Sequence, residues 1–136
     1  MDIHQLIYSS QPFGYDEATL AGILLDARRL NAAHAVTGAL ICRRDVYLQL
    51  LEGPERAVHA TYDRISRDDR HVDLRLHASG IVPERLFGAW SMLHDPARSW
   101  LWSEAEVAGG AVESAEPSDM RNVFLRLADR VKTGTI

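Results

Sequence analysis

The stretch Val46-Tyr47-Leu48-Gln49-Leu50-Leu51-Glu52-Gly53-Pro54 constrains this chain more than any other. Its β-branched, aromatic and leucine residues suit a short strand covered on both faces. Gly53 can take the positive φ that ends a strand abruptly, and Pro54 suits the first turn of a following helix. Gln49 breaks the pattern. It shares a strand face with Tyr47 and Leu51, so a carboxamide with both donors and an acceptor sits among apolar side chains. Either backbone groups satisfy it as a core glutamine, or it is there to meet something polar.

Working outward from this strand, Ile3 to Tyr8 reads as a first strand, with Ile3, Gln5 and Ile7 on one face and His4, Leu6 and Tyr8 on the other. Ser9 to Gly14 reads as a loop by its turn residues. A helix is expected from Tyr15 or Asp16, with Asp16 and Glu17 in its first turn and an apolar stripe of Leu20, Ile23, Leu24 and Ala27. The stripe runs on to Asn31. An asparagine there either caps the helix in the left-handed conformation or points its amide into the space beneath.

Val36 to Ile41 reads as a second strand, with Gly38 marking close backbone approach, and Arg43-Arg44-Asp45 as the turn of a hairpin with the Gln49 strand. A second helix is expected from Pro54 to Arg67, with Val58, Tyr62 and Ile65 on one face, followed by a charged exit through Asp68, Asp69, Arg70 and His71. Val72, Leu74 and Leu76 alternate with Asp73, Arg75 and His77, the pattern of a strand with one wet face. Phe87 to His94 reads as a fifth strand, with Trp90 and Met92 on one of its faces.

The order β-α-β-β-α-β-β is that of a split βαβ unit, an α+β sandwich with both helices on one side of the sheet. Its other face needs a cover. Met120, Val123, Phe124, Leu127 and Val131 form an amphipathic stripe, and Pro117, Ser118 and Asp119 supply helix-start signals. That helix, expected over Pro117 to Lys132, must bury its stripe on the bare sheet face or against a second subunit. Ser103 to Glu116 reads as a linker or a poorly ordered helix.

Totals exclude several classes. A chain of 136 residues is most simply one domain, and a net charge of −4 gives no electrostatic reason to expect nucleic acid or an anionic membrane. No apolar run has the length of a membrane span. Cys42 is the only cysteine, so no internal disulfide can form, which fits a cytoplasmic protein. The six histidines show neither metal-ligand spacing nor an acid–histidine–serine set, so an enzyme is not expected.

Tyr8, Asn31, Gln49, Trp90 and Met92 thus stand out, and their local strings are Ala27-Arg28-Arg29-Leu30-Asn31, Thr37-Gly38-Ala39-Leu40, Tyr47-Leu48-Gln49-Leu50-Leu51-Glu52-Gly53, Ile65-Ser66-Arg67-Asp68-Asp69-Arg70-His71 and Phe87-Gly88-Ala89-Trp90-Ser91-Met92. In that order and spacing they resemble the BLUF family of flavin-binding blue-light sensors. The resemblance covers roughly residues 2 to 95, with two departures: Tyr47 stands where the family usually has Phe, and the loop from Gln11 to Tyr15 is short.

The resemblance implies a ferredoxin-like sandwich: a five-stranded mixed sheet with two helices on one face, flavin between those helices, and a C-terminal helical extension. It divides the chain into a flavin-binding domain over residues 1–96 and an extension over residues 97–136 that covers the sheet or mediates assembly. It implies Asn31 at the pyrimidine edge of the flavin, Gln49 between the flavin and the Tyr8 hydroxyl, Arg70 and His71 near the ring's polar edge or the cofactor tail, and Ile23 and Ile65 sandwiching the ring. The implied cofactor is FAD, with FMN also possible. The implied photochemistry takes an electron and a proton from Tyr8, reorients or tautomerises the Gln49 amide, and passes the change through Trp90 and Met92. Its output would go to a protein partner or a homo-oligomer of a stand-alone short BLUF protein. The competing reading is a light-blind oligomerisation or partner-binding module that keeps the fold and purifies colourless.

Overall fold

The computed structural model describes residues 3–12, 17–43, 45–67, 71–88, 90–95 and 103–133. Its central sheet runs β4-β1-β3-β2-β5, built from β1 (Ile3–Pro12), β2 (Thr37–Arg43), β3 (Val46–Gly53), β4 (His71–Val82) and β5 (Leu93–Asp95). Strand β1 pairs antiparallel with β3 and β4, β2 and β3 form the expected antiparallel hairpin, and β2–β5 is parallel. The result is the five-stranded mixed sheet of a ferredoxin-like sandwich.

Alternation along the strands splits the core in two. On one face Leu6, Tyr8, Leu40, Cys42, Tyr47 and Leu51 pack with Leu20, Ile23 and Leu24 of α1 (Glu17–Ala33) and Val58 of α2 (Glu55–Ser66). On the other, Ile7, Ala39, Ile41, Leu48 and Leu50 pack with Met120, Val123, Phe124 and Leu127 of the long C-terminal helix. That helix, α5 (Pro117–Thr133), follows two short helices, α3 (Glu104–Ala108) and α4 (Ala111–Ser114). Burying those four α5 side chains contributes roughly 6–12 kcal/mol of gross transfer free energy, which holds the helix on the sheet. Among the described residues no helix is long and apolar enough to cross a membrane.

Two glycines permit close backbone contact at β3. A Cβ on Gly38 would lie 2.0 Å from the Leu50 carbonyl oxygen, which is the close approach expected there. Gly53 takes φ 154° at the strand end, and a Cβ on it would lie 2.7 Å from the Ala35 carbonyl oxygen.

Several expectations are corrected. Strand β1 runs through Ser9 and Ser10 to Pro12 instead of ending at Tyr8, because the serines stay in register with Leu48 and Tyr47. Pro54 is the N-cap of α2, extended at φ −60° and ψ 137°, and the helix starts one residue later. Asn31 does not cap α1. The helix continues to Ala33, the Asn31 carbonyl accepts from the His34 and Val36 N–H groups, and Ala35 takes the left-handed φ of 59°. The alternation of β4 is broken by register shifts opposite β1, so Leu76 is 52% exposed while His77 is partly buried. The segment from Ser103 to Glu116 holds two short helices, α3 and α4, the first opened by a capping box in which Ser103 and Glu106 bond each other's backbone N–H.

The largest correction concerns the expected strand from Phe87 to His94, of which only Leu93 and His94 belong to a strand, β5. The preceding residues turn, because the buried Glu52 carboxylate accepts from the Leu86 and Phe87 N–H groups at 2.7 Å each. The Trp90 N–H then bonds back to the Phe87 carbonyl at 2.9 Å. Tyr15, Asp16, Arg44 and Ala89, parts of expected elements, lie outside the described residues.

Candidate functional site

Gln49 is 3% exposed on the α1/α2 face of β3, directly opposite Tyr8 of β1. Its carbonyl oxygen accepts the hydrogen bond from the Tyr8 hydroxyl, and its amide nitrogen donates to the Met92 sulfur at 3.4 Å. The carboxamide is therefore held by side chains, not by the backbone groups of a routine core glutamine. The Tyr62 ring of α2 meets the Tyr8 ring edge-on at 5.1 Å between centroids. Burial, then the neighbouring Asp63, raises the Tyr62 hydroxyl above its ordinary pKa, so it is neutral at physiological pH.

Asn31 lies two residues from the end of α1 and is 1% exposed. Its amide nitrogen donates to the Ser91 carbonyl at 2.9 Å, while its side-chain oxygen is buried with no hydrogen-bond partner. A buried acceptor left open costs about 1–3 kcal/mol, which marks a place for a missing donor. The imide N–H of an isoalloxazine is a donor of the required kind, and Ile23, Ile65, Val58 and Leu24 supply apolar surface in the same cluster. On these grounds the residues present fit a flavin.

The structure brings Tyr8, Ile23, Asn31, Gln49, Ile65 and Met92 to one sheet face. Trp90 parts from Met92. With no strand among the described residues of 87–92 the two share no strand face, and Trp90 is 40% exposed while Met92 is 1% exposed. Arg70 and the His71 side chain lie outside the described residues.

Other contacts went unread in the sequence. Cys42 faces His94 across β2 and β5, sulfur to Nε2 at 3.0 Å. The carbonyls of Trp90, Ser91 and Met92 accept in turn from Gly38 N–H, the Asn31 amide and the Arg28 guanidinium at 3.1, 2.9 and 3.1 Å. The Glu52 carboxylate also accepts from the Thr37 hydroxyl at 2.8 Å. The lone carboxylate of a buried strand was the one available signal; backbone carbonyls leave none.

The fold is an α+β sandwich with a tyrosine–glutamine–methionine chain beneath two helices. Residues 3–93 match the sequence model of BLUF, described as sensors of blue-light using FAD, and the chain belongs to that family. It is 35% identical over 74 residues to the photoactivated adenylate cyclase subunit beta of Euglena gracilis, covering 54% of this chain and 9% of that protein. It is 38% identical over 66 residues to the blue light- and temperature-regulated antirepressor BluF of Escherichia coli K12, covering 48% of this chain and 16% of that protein. The chain thus spans only a small part of these curated relatives. Among solved structures, the dark state of the BLUF protein BlrB has a TM-score of 0.79 at 22% identity, covering 94% of this chain and 96% of that one. The photo-activated state of BlsA has a TM-score of 0.70 at 22% identity, covering 93% and 94%. At that identity the likeness speaks to the fold.

Proposed function

We propose that this chain is a blue-light photoreceptor whose switch is the Gln49 carboxamide between Tyr8 and Met92. The observation that carries the reading is that one buried amide is gripped at both ends, by a phenol on its oxygen and a thioether on its nitrogen. Bound flavin would supply absorption of blue light and, once excited, an acceptor for an electron and a proton. Tyr8 is the neutral, oxidisable donor next to the amide. Gln49 is the part that turns: rotating the head by half a revolution presents its N–H groups to the Tyr8 oxygen and its carbonyl to the Met92 sulfur. Sulfur offers no proton, so the turned state loses the Met92 contact and favours displacement of the Met92 segment. Asn31 holds that segment at Ser91 while its open oxygen takes the cofactor's N–H, and Ile23 and Ile65 wall the ring. FAD is the expected cofactor, with FMN also accepted.

One exchanged hydrogen bond is worth about 0.5–1.5 kcal/mol, so the switch biases a balanced equilibrium roughly two- to twelvefold. A bias of that size acts on docking, not on folding. In this reading residues 1–96 form the sensing unit, residues 97–136 form the responding extension, and output passes through the Met92 segment and α5 to a protein partner or to self-assembly. The test is the visible spectrum of purified protein before and after blue light. Flavin bands with a small reversible red shift are expected. A protein that stays colourless with added FAD or FMN would sink the reading and favour the light-blind module.

A further inference from the structure

On the sheet face opposite the Tyr8–Gln49 pair, a cleft of about 330 Å³ opens between the β1–β4 edge and the start of α5. Gln5, Gly80 and Val82 line its floor, and Pro117, Ser118 and Arg121 line the helix side. Gln5 and Gly80 are direct partners across β1 and β4, so they share a face, and nothing would lie within 4 Å of a Cβ on Gly80. The missing side chain keeps the space above Gln5 open.

The donors around this cleft are unmatched. Gln5 is 5% exposed, yet its amide nitrogen is buried with no hydrogen-bond partner. The N–H groups of Asp119 and Met120 bond back to the Glu116 carbonyl. Ser118, one residue earlier in the first turn of a helix of 17 residues, brings a hydroxyl and an N–H with no helix carbonyl behind it. Arg121 is exposed and forms no ion pair among the described residues. The nearby Asp119 carboxylate is turned to the Glu116 N–H, at 3.1 Å, and does not line the cleft. A carboxamide N–H, a helix N-terminus and a guanidinium converging on one space select an anion. Ser79 and Ile81 border the cleft through backbone, since their side chains pair with Leu6 and His4 on the other face, and the remaining walls, Ala78, Val82 and Pro117, are apolar, so the anion should carry a short apolar body.

We propose that this cleft binds a small aliphatic monocarboxylate, its carboxylate on Gln5, Ser118 and Arg121 and its chain against Ala78, Val82 and Pro117. The site is built half from the sheet and half from α5. A ligand there binds the docked form of the helix and stabilises it by mass action. It would let a metabolite set how firmly the extension sits, independently of light.

The experiment is isothermal titration of n-butyrate and n-valerate into the full chain in the dark, with inorganic phosphate as a second probe. Saturable millimolar or tighter binding of the carboxylates is expected, weakened at least tenfold in both Gln5→Leu and Arg121→Ala, with phosphate weaker. Arg121 is exposed, so its variant keeps the fold and decides the matter if Gln5→Leu does not fold. No saturable carboxylate binding, phosphate binding above butyrate, or binding untouched by Arg121→Ala would each overturn the proposal.

Discussion

The Gln49 amide nitrogen lies 3.4 Å from the Met92 sulfur, linking β3 to the residue just before β5. Replacing Met92 by leucine keeps the volume and should cost less than about 1.5 kcal/mol of stability. It removes the acceptor that favours one orientation of the amide. Under the proposed switch, a change of about 1 kcal/mol in that preference alters the dark-recovery rate roughly fivefold. Unchanged recovery in Met92→Leu, followed by absorbance after a blue flash, would disconnect the sulfur from the switch.

Tyr8→Phe removes the hydroxyl that Gln49 accepts and leaves a buried carbonyl oxygen open, at about 1–3 kcal/mol. The variant should still bind flavin, since Asn31 and the apolar walls are intact. Its light-minus-dark difference spectrum should be flat. A normal reversible shift would rule Tyr8 out as the donor.

Glu52→Gln places an NH₂ group against one side of a carboxylate site that serves Leu86 N–H, Phe87 N–H and the Thr37 hydroxyl. A loss of about 1.5–3 kcal/mol is expected in urea unfolding. Amide exchange should speed up at Leu86 and Phe87 first.

Gly38→Ala would drive a methyl group into the Leu50 carbonyl, which would sit 2.0 Å away. Both groups belong to paired strands and neither can yield alone. Destabilisation of about 3 kcal/mol or more is expected, read as a lower urea midpoint or as insoluble protein.

His77 donates to or accepts from the Ser9 hydroxyl at 2.7 Å and is partly buried. Burial lowers its pKa below the ordinary 6.5; Glu113 opposes this and Arg75 adds to it. The folded protein therefore holds the ring neutral where the unfolded chain already takes up a proton. This contribution to stability is complete above about 6.5 and is lost as the pH falls toward the folded-state value. His77→Gln should flatten the wild-type decline between pH 7 and 5 in thermal melts. Parallel curves would mean that carboxylates alone set the slope.

What could be read in advance followed from local pattern. The apolar run of β3 predicted a strand covered on both faces, and the helical period from Met120 to Val131 predicted the stripe that packs on the sheet. The sandwich with two helices on one face followed from the element order of a split βαβ unit, and the β2–β3 hairpin from its short turn. The break at Phe87 could not be read this way, because a strand-like run of residues is bent by a carboxylate on a distant strand. The same holds at the site. Gln49 announced itself as a polar residue on an apolar face, and Asn31 as the end of a stripe. The partner of Asn31 is a backbone carbonyl, which every residue has, so no residue type could point to it. Trp90 was misplaced for the same reason as the strand that was expected to carry it.

The carbonyls of Trp90, Ser91 and Met92 are held respectively from β2, from the Asn31 amide and from the Arg28 guanidinium. Such a mount has three fixings on two separate elements. Releasing it means breaking bonds worth about 0.5–1.5 kcal/mol each, roughly 1.5–4.5 kcal/mol for the set. Small jolts from the solvent leave at least one fixing intact, and the segment springs back. Under the proposed switch the mount is a latch with a threshold, and the false-alarm rate of the sensor in darkness would be set there, by three backbone oxygens, before any photon arrives.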